Sequence, residues 1–413
     1  MNKHLLLIHQ AFASKDDPGG TRHYEFGRRL AAEGVRFTVV ASDVSYLTGK
    51  RITSGKGLMD DSCEDGIRIL RAFTYSSLHA NYFARVISFL SFMVTSVIAG
   101  SRAGKPDIVM GTTPPIFQAI SAWVISVVRG RPFLLEVRDL WPEFAIDIGV
   151  LRNPVLIRLS RWLEGFLYAR ADYLLVNSPA YRDYLIGKGI EASKITFIPN
   201  GVDPSMFDPG DRGENFRAQH GVKDKFVVTY AGAVGMANDI DVLLQAAARV
   251  RHRKDIQILI VGDGKERKRL QEEAKHLDLT NLTFTGALPK SQMPQALAGS
   301  DACIAILRNI KMFRTTYPNK VFDYMAAGRP TILAIDGVIR EVVEAASGGM
   351  FVPPGDSDRL AEAITYLADH PQDASRMGSE AHSFVVRYFN RDNHASEFME
   401  LISRIALERV VTP

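Results

Sequence analysis

Lys320 and Asp323 stand one helical turn apart in the run YPNKVFDYMAAGRP, 317–330. A proline is tolerated at the first position of a helix, because its missing N–H would have no intrahelical partner there. Pro318 therefore predicts a helix opening there. Its first turn would present the N–H groups of Asn319, Lys320 and Val321, with the Lys320 ammonium beside them, as a seat for a diphosphate. Asp323, one turn on, could accept hydrogen bonds from a ribose diol. The same residues also suit a solvated helix charge and a capping carboxylate, so this run alone leaves both readings open.

Three glycine turns raise the same question elsewhere. Gly19 and Gly20, in DPGGT, follow the first apolar run and open a helix reading RHYEFGRRLAAEG. Glycine lets a backbone approach a ligand, and a helix N-terminus attracts an anion; a plain turn would look the same. Gly232 and Gly235 lie in AGAVG, and VGDG (261–264) ends the next apolar run. Neither matches G-x-G-x-x-G, and no acidic residue stands where a nicotinamide ribose would need one, which argues against a dinucleotide-dependent dehydrogenase. Asp139, in FLLEVRDLWPE beside Glu136 and Arg138, is a candidate for orienting an acceptor or a cap before Trp141-Pro142. No histidine–cysteine cluster marks a metal site, and neither a metal nor a cofactor is expected.

The elements that would carry these residues are legible as short apolar runs alternating with helical stretches. The first half holds HLLLI, RFTVVA, IRILRAF, DIVMG, FLLEVR, DYLLVN and ITFIP. The second holds FVVTYAG, IQILIVG, LTFTG, ACIAIL, PTILA and MFVPP. Near-continuous apolar strands followed by helices predict parallel sheets covered on both faces. Two such series predict two doubly wound α/β domains with ligands at the carboxyl ends of the strands. The proline- and glycine-rich stretch after Asp203 places the boundary, giving domains 1–204 and 205–391. Ala395, Phe398, Leu401, Ile402 and Ile405 share one face of a final helix, about 392–413.

A chain of 413 residues suits two domains. Fifty basic against 46 acidic residues is too even to indicate nucleic acid. Two distant cysteines give no disulfide framework and fit a reducing, cytoplasmic compartment. The stretch Val86–Gly100 is short for a membrane span and interrupted by serines. It reads as a buried helix or as a helix touching lipid. Trp162, Phe166 and Leu167 share a helix with Arg158 and Arg161, which suits either an amphipathic core helix or one lying on an anionic membrane.

Taken in order, PGGTRHYEFGRRLAAEGVRFTVVAS, PDIVMGTTPP, PFLLEVRDLWPE, ADYLLVNSPAYRDYL, ITFIPNGVDPSMFDP, YAGAVG, ILIVGDG, LTFTGALPKSQMPQALAGSDACIAIL and PNKVFDYMAAGRP resemble the retaining glycosyltransferases of family four. TTPP and EVRDLWPE look most like the branch that builds O-antigens and capsules. The resemblance covers nearly the whole chain. It implies the GT-B fold: two Rossmann-like domains facing a central cleft, with the last helix crossing back to the N-terminal domain. It further implies Gly19 and Gly20 near the donor diphosphate and Gly232 to Gly235 bordering the cleft. Gly286 to Leu288 would read the base by their backbone. Asn319, Lys320 and Val321 would lie on the phosphates and Asp323 on the ribose.

Two departures stand out. The family often carries two glutamates separated by seven residues; here those places hold Thr315 and Asp323. An Arg and a Lys usual after the first glycine turn of the second domain are replaced by MANDID. The positive charge must then come from Lys320 first, with Arg308, Lys311 and Arg314 as lesser candidates.

The resemblance implies transfer of an N-acetylamino or deoxy-amino sugar from a nucleotide-sugar, UDP preferred over GDP, with retention and without a metal. The acceptor would be a glycan or a polyprenyl-diphosphate-linked saccharide, with peripheral contact at the inner membrane face. The alternatives are a non-catalytic nucleotide-sugar-binding partner subunit and a nucleotide-sugar 2-epimerase of the same fold.

Overall fold

The computed structural model describes residues 3–14, 20–45, 49–52, 57–76 and 82–411. They fall into two compact units, Met1–Pro199 with Arg391–Pro413, and Asn200–Asn390.

The first unit is built on eight strands: β1 (His4–Ile8), β2 (Arg36–Ser42), β3 (Met59–Glu64), β4 (Ile67–Ala72), β5 (Ile108–Thr113), β6 (Phe133–Val137), β7 (Tyr173–Val176) and β8 (Ile195–Phe197). Their order is β3-β4-β2-β1-β5-β6-β7-β8. Every pair is parallel except β3 with β4. All residues of β1, β5 and β6 are buried, because helices cover both faces and leave no wet side for polar residues to occupy. β3 reads MDDSCE and is largely exposed. It is a charged edge strand, and its carboxylates discourage pairing with another chain. Helix α1 (Arg22–Ala32) follows β1, and α2 (Tyr82–Ser101), α3 (Ile116–Arg129) and α4 (Pro154–Arg170) follow in turn. α4 starts where it does because the Asn153 side chain accepts from the amides of Val155 and Leu156, with Pro154 at the first position.

The second unit holds six parallel strands: β9 (Phe226–Ala231), β10 (Ile256–Val261), β11 (Leu282–Gly286), β12 (Ala302–Ile306), β13 (Thr331–Ala334) and β14 (Gly349–Phe351). Their order is β11-β10-β9-β12-β13-β14. Alternate residues fill the two faces: Val228, Ile258 and Ile304 pack on one side, Val227, Leu259 and Cys303 on the other. The chain winds outward from β9 through β11, then returns to the opposite side with β12. Connections leaving β9 and β12 therefore diverge, opening the crevice where doubly wound sheets bind ligands. Helix α5 (Asn319–Ala326) links β12 to β13.

The last helix, α6 (Arg391–Val411), belongs to the first unit. Its expected face, Ala395, Phe398, Leu401, Ile402 and Ile405, is wholly buried there. Phe398 stacks on Phe26 of α1 at 5.2 Å, and the ion pairs Arg391–Glu25 and Arg29–Asp392 flank that contact. Phe398→Ala should lower stability by about 3–5 kcal/mol, measured by denaturant unfolding. A loss below about 1 kcal/mol would mean that α6 is not part of this core.

Candidate active site

In the second unit the carboxyl ends of β9, β10 and β11 are knitted by glycines. Gly232 N–H donates to Val261 O at 2.9 Å, and Gly262 N–H donates to Gly286 O at 2.8 Å. A Cβ on Gly262 would sit 1.8 Å from Gly232 O, so no larger residue fits. Gly232 has φ +149°, and a Cβ there would lie 2.6 Å from Lys320 Nζ. Its positive φ favours glycine at Gly232, and the end of the lysine lies directly over it.

α5 delivers that lysine. Tyr324 Oη donates to Ala231 O at 3.0 Å and accepts from Ala231 N–H at 2.9 Å, clamping the helix to the end of β9. One turn earlier on the same face, Lys320 Nζ donates to Tyr230 Oη at 2.9 Å and lies 4.1 Å from the centre of that ring. Asn238 Oδ1 is 3.5 Å away, and Tyr230 Oη itself donates to Ala233 O at 2.7 Å. These neighbours are neutral, and Lys320 makes no ion pair among the described residues. Burial without a counter-charge pushes its pKa down to about 7.

The other expected residues take distinct positions. Asn319 is exposed at the start of α5 and Asp323 is half-buried on it. The Val321 side chain is fully buried, and its N–H turns back to Pro318 O at 3.2 Å, so it supports the helix from inside. Thr315 Oγ1 donates to Met312 O at 2.6 Å, closing the turn before α5. Leu288 packs against the core of this unit. Gly235 is extended and faces open space. Of the lesser cations, Arg314 lies 3.7 Å from Asp336 and exposed Arg308 is held by its backbone N–H on Ala237 O. Among the described residues no three His, Cys, Asp or Glu side chains converge as a cation site.

In the first unit, Glu136 at the end of β6 is fully buried. Its carboxylate accepts from Arg22 Nε at 3.1 Å, His23 Nε2 at 2.5 Å and Thr112 Oγ1 at 3.1 Å. Burial alone would raise its pKa, but His23, Arg22 and Arg138 outweigh it and hold it well below the usual range. Arg22 also donates to the carbonyls of Ile198 and Pro199. Glu136 is thus a hub joining α1, β5, β6 and the chain beyond β8. Arg138 Nη2 donates to His9 Nε2 at 3.1 Å. Asp139, next along, is half-buried with no side-chain hydrogen bond among the described residues. Burial lifts its carboxyl to about 6, against the pull of Arg138. Gly20 has open space where a Cβ would be, and Gly19 lies outside the described residues.

Two family models account for most of the chain: "Glycosyl transferase 4-like domain" matches residues 19–201 and "Glycosyl transferases group 1" matches residues 225–370. The chain belongs to the GT-B glycosyltransferases. This glycosyltransferase is 26% identical to the probable glycosyltransferase WbjE of Pseudomonas aeruginosa, over 71% of this chain and 74% of that one. It is 22% identical to the putative colanic acid biosynthesis glycosyl transferase WcaI of Escherichia coli, over 74% and 77%. Its fold matches sucrose-phosphate synthase from Thermosynechococcus elongatus with TM-score 0.77, at 18% identity over 98% and 99% of the chains. It also matches Anabaena Alr3699/HepE in complex with UDP-glucose with TM-score 0.73, at 19% identity over 97% and 99%.

Sequence reading missed three residues of this glycosyltransferase's lysine seat: Tyr230, Asn238 and Tyr324. The i, i+4 spacing of Lys320 and Tyr324 was a usable signal, since it puts both on one helix face. Lys320 has a testable signature. At pH 8 it is largely neutral in the free enzyme. A diphosphate placed against it would restore its charge, so binding should take up protons, up to about one per site. Calorimetry of UDP binding in two buffers of different ionisation enthalpy checks this; equal uptake by wild type and Lys320→Met would exclude the lysine as the source.

Proposed function

We propose that this glycosyltransferase moves an N-acetylamino or deoxy-amino sugar from a UDP-linked donor to a glycan or polyprenyl-diphosphate-linked acceptor, with retention of configuration. The product would enter a surface polysaccharide such as O-antigen or capsule, and the work would be done in the cytoplasm at the inner membrane face. One observation carries the donor half: a lysine that makes no ion pair among the described residues, seated over a glycine at the carboxyl end of β9. The UDP-glucose complex of Alr3699/HepE supports the uridine donor, and the naming of WcaI for colanic acid biosynthesis supports the polysaccharide.

In the chemistry, the bond from the sugar's C1 to the β-phosphate oxygen breaks, and the electron pair leaves with the diphosphate. Lys320 and the first amides of α5 meet the charge as it develops, which is where preorganised donors act most strongly. Asp323 holds the ribose. The acceptor hydroxyl attacks C1 from the face the nucleotide leaves, and its proton passes to the departing phosphate oxygen. Asp139 orients the acceptor. No step needs a metal.

Lys320→Ala and Asp323→Ala should each lower transfer by about 10²–10³-fold with unchanged circular dichroism. Wild-type turnover by both would sink the site. Transfer should persist in EDTA; loss restored by a divalent cation would overturn the metal-free route. Titration with UDP and GDP comes first, and binding of GDP alone would reverse the choice of donor.

A further inference from the structure

We propose that α2, α3 and α4 form the face by which this protein lies on an anionic lipid bilayer. The inference deepens the reading of the acceptor as lipid-linked and rests on it for its biological sense. The observations behind it belong to the first unit alone.

On α2, Ile87, Leu90, Val94 and Ile98 recur at helical spacing, and all four are exposed, Val94 by 57%. On α4, Val155, Leu159 and Trp162 form a second stripe, exposed by 65%, 55% and 64%. Between them α3 exposes Val127 and Val128 near its end, the latter by 77%. The three helices are joined by rings: Phe89 of α2 stacks on Phe117 of α3 at 6.0 Å, and Trp123 of α3 meets Phe166 of α4 edge-on at 5.0 Å. Trp162 stacks on Phe166 at 5.6 Å, and Ile148 and Val150 just before α4 are exposed as well. Scattered exposed apolar residues need no explanation, but contiguous patches beyond a few hundred Å² mark interaction surfaces.

Charge selects the occupant. The three helices carry Arg129, Arg158, Arg161 and Arg170 against a single acid among the described residues, Glu164. Glu164 is buried and satisfied by Lys188 at 2.5 Å, so it does not face outward. Arg102 and Arg152 add exposed cations at helix ends. Glu143 neutralises Arg161 through two hydrogen bonds, while Arg129, Arg158 and Arg170 make no ion pair among the described residues. A second copy docking symmetrically would set arginine against arginine. An anionic headgroup layer would meet those arginines while aliphatic and indole side chains sink into the interface. Among the described residues no helix is long and apolar enough to cross a membrane, so the surface lies on the bilayer and does not span it.

The test is co-flotation of the full chain with phosphatidylcholine vesicles, with and without phosphatidylglycerol, at low and high salt. Binding should require phosphatidylglycerol and weaken with salt. Val94→Glu and the pair Leu159→Glu with Trp162→Glu should each cost about tenfold or more in vesicle affinity. All these side chains are exposed, so the variants should fold and bind UDP like wild type. Wild type that stays off phosphatidylglycerol vesicles, or variants that bind them equally, overturns the proposal. So does light scattering that finds a dimer which the variants dissolve, since that assigns the face to a second copy. Loss of UDP binding by wild type would instead strike the donor reading and leave the vesicle result to stand by itself.

Discussion

The second unit depends on a partly desolvated lysine held by neutral groups. Lys320 is brought to Gly232 by a helix whose next turn, at Tyr324, is hydrogen-bonded to both backbone groups of Ala231. The two contacts are mutually dependent. Without the Tyr324 clamp the helix has no fixed height over β9, and a side chain at Gly232 would push the end of the lysine aside. Leaving a half-buried ammonium without a counter-charge is costly. An anion placed beside the lysine would relieve that cost, and burial lowers its pKa to about 7, where its charge would respond to such a neighbour.

The first unit solves the opposite problem. Glu136 is fully buried and over-supplied with cationic and polar partners, so it stays ionised and ties four elements together. Asp139, three residues along, lacks such partners, and its carboxyl is lifted towards neutrality. Two acids on one short segment are thus given different roles by environment alone: one holds the scaffold and the other is left available.

Much of the fold was legible in the sequence because parallel strands covered on both faces leave a plain mark. All thirteen apolar runs are strands. β3 escaped because an edge strand is selected for charge, and MDDSCE carries no apolar pattern. The final helix was legible too, since its five apolar positions fall on one face. The site was legible less evenly. Lys320 announced itself through Pro318 and the helix start, but Tyr230 read only as part of an apolar strand. Nothing in FVVTYAG indicates that its hydroxyl will bridge a lysine to the Ala233 carbonyl. Glu136 stood beside Asp139 in one motif, and only packing separates the hub from the free carboxylate. Trp162 and Leu167 suited core and surface equally in the sequence; packing buries Leu167 and leaves Trp162 exposed.

The first unit is assembled from both ends of the chain. Phe26 emerges early during synthesis, yet its stacking partner, Phe398, follows after the whole second unit has been made. Until then the apolar flank of α1 and its neighbours has no native cover. The second unit, by contrast, is continuous from Asn200 to Asn390 and can close as soon as it clears the ribosome. Vectorial synthesis therefore reverses the order in which the two units mature: the one made second is completed first. The nascent first unit must keep its exposed flank from aggregating for the time needed to translate nearly two hundred residues. A helix that looks like a C-terminal appendage is, in time, the latch that closes the core of the first unit.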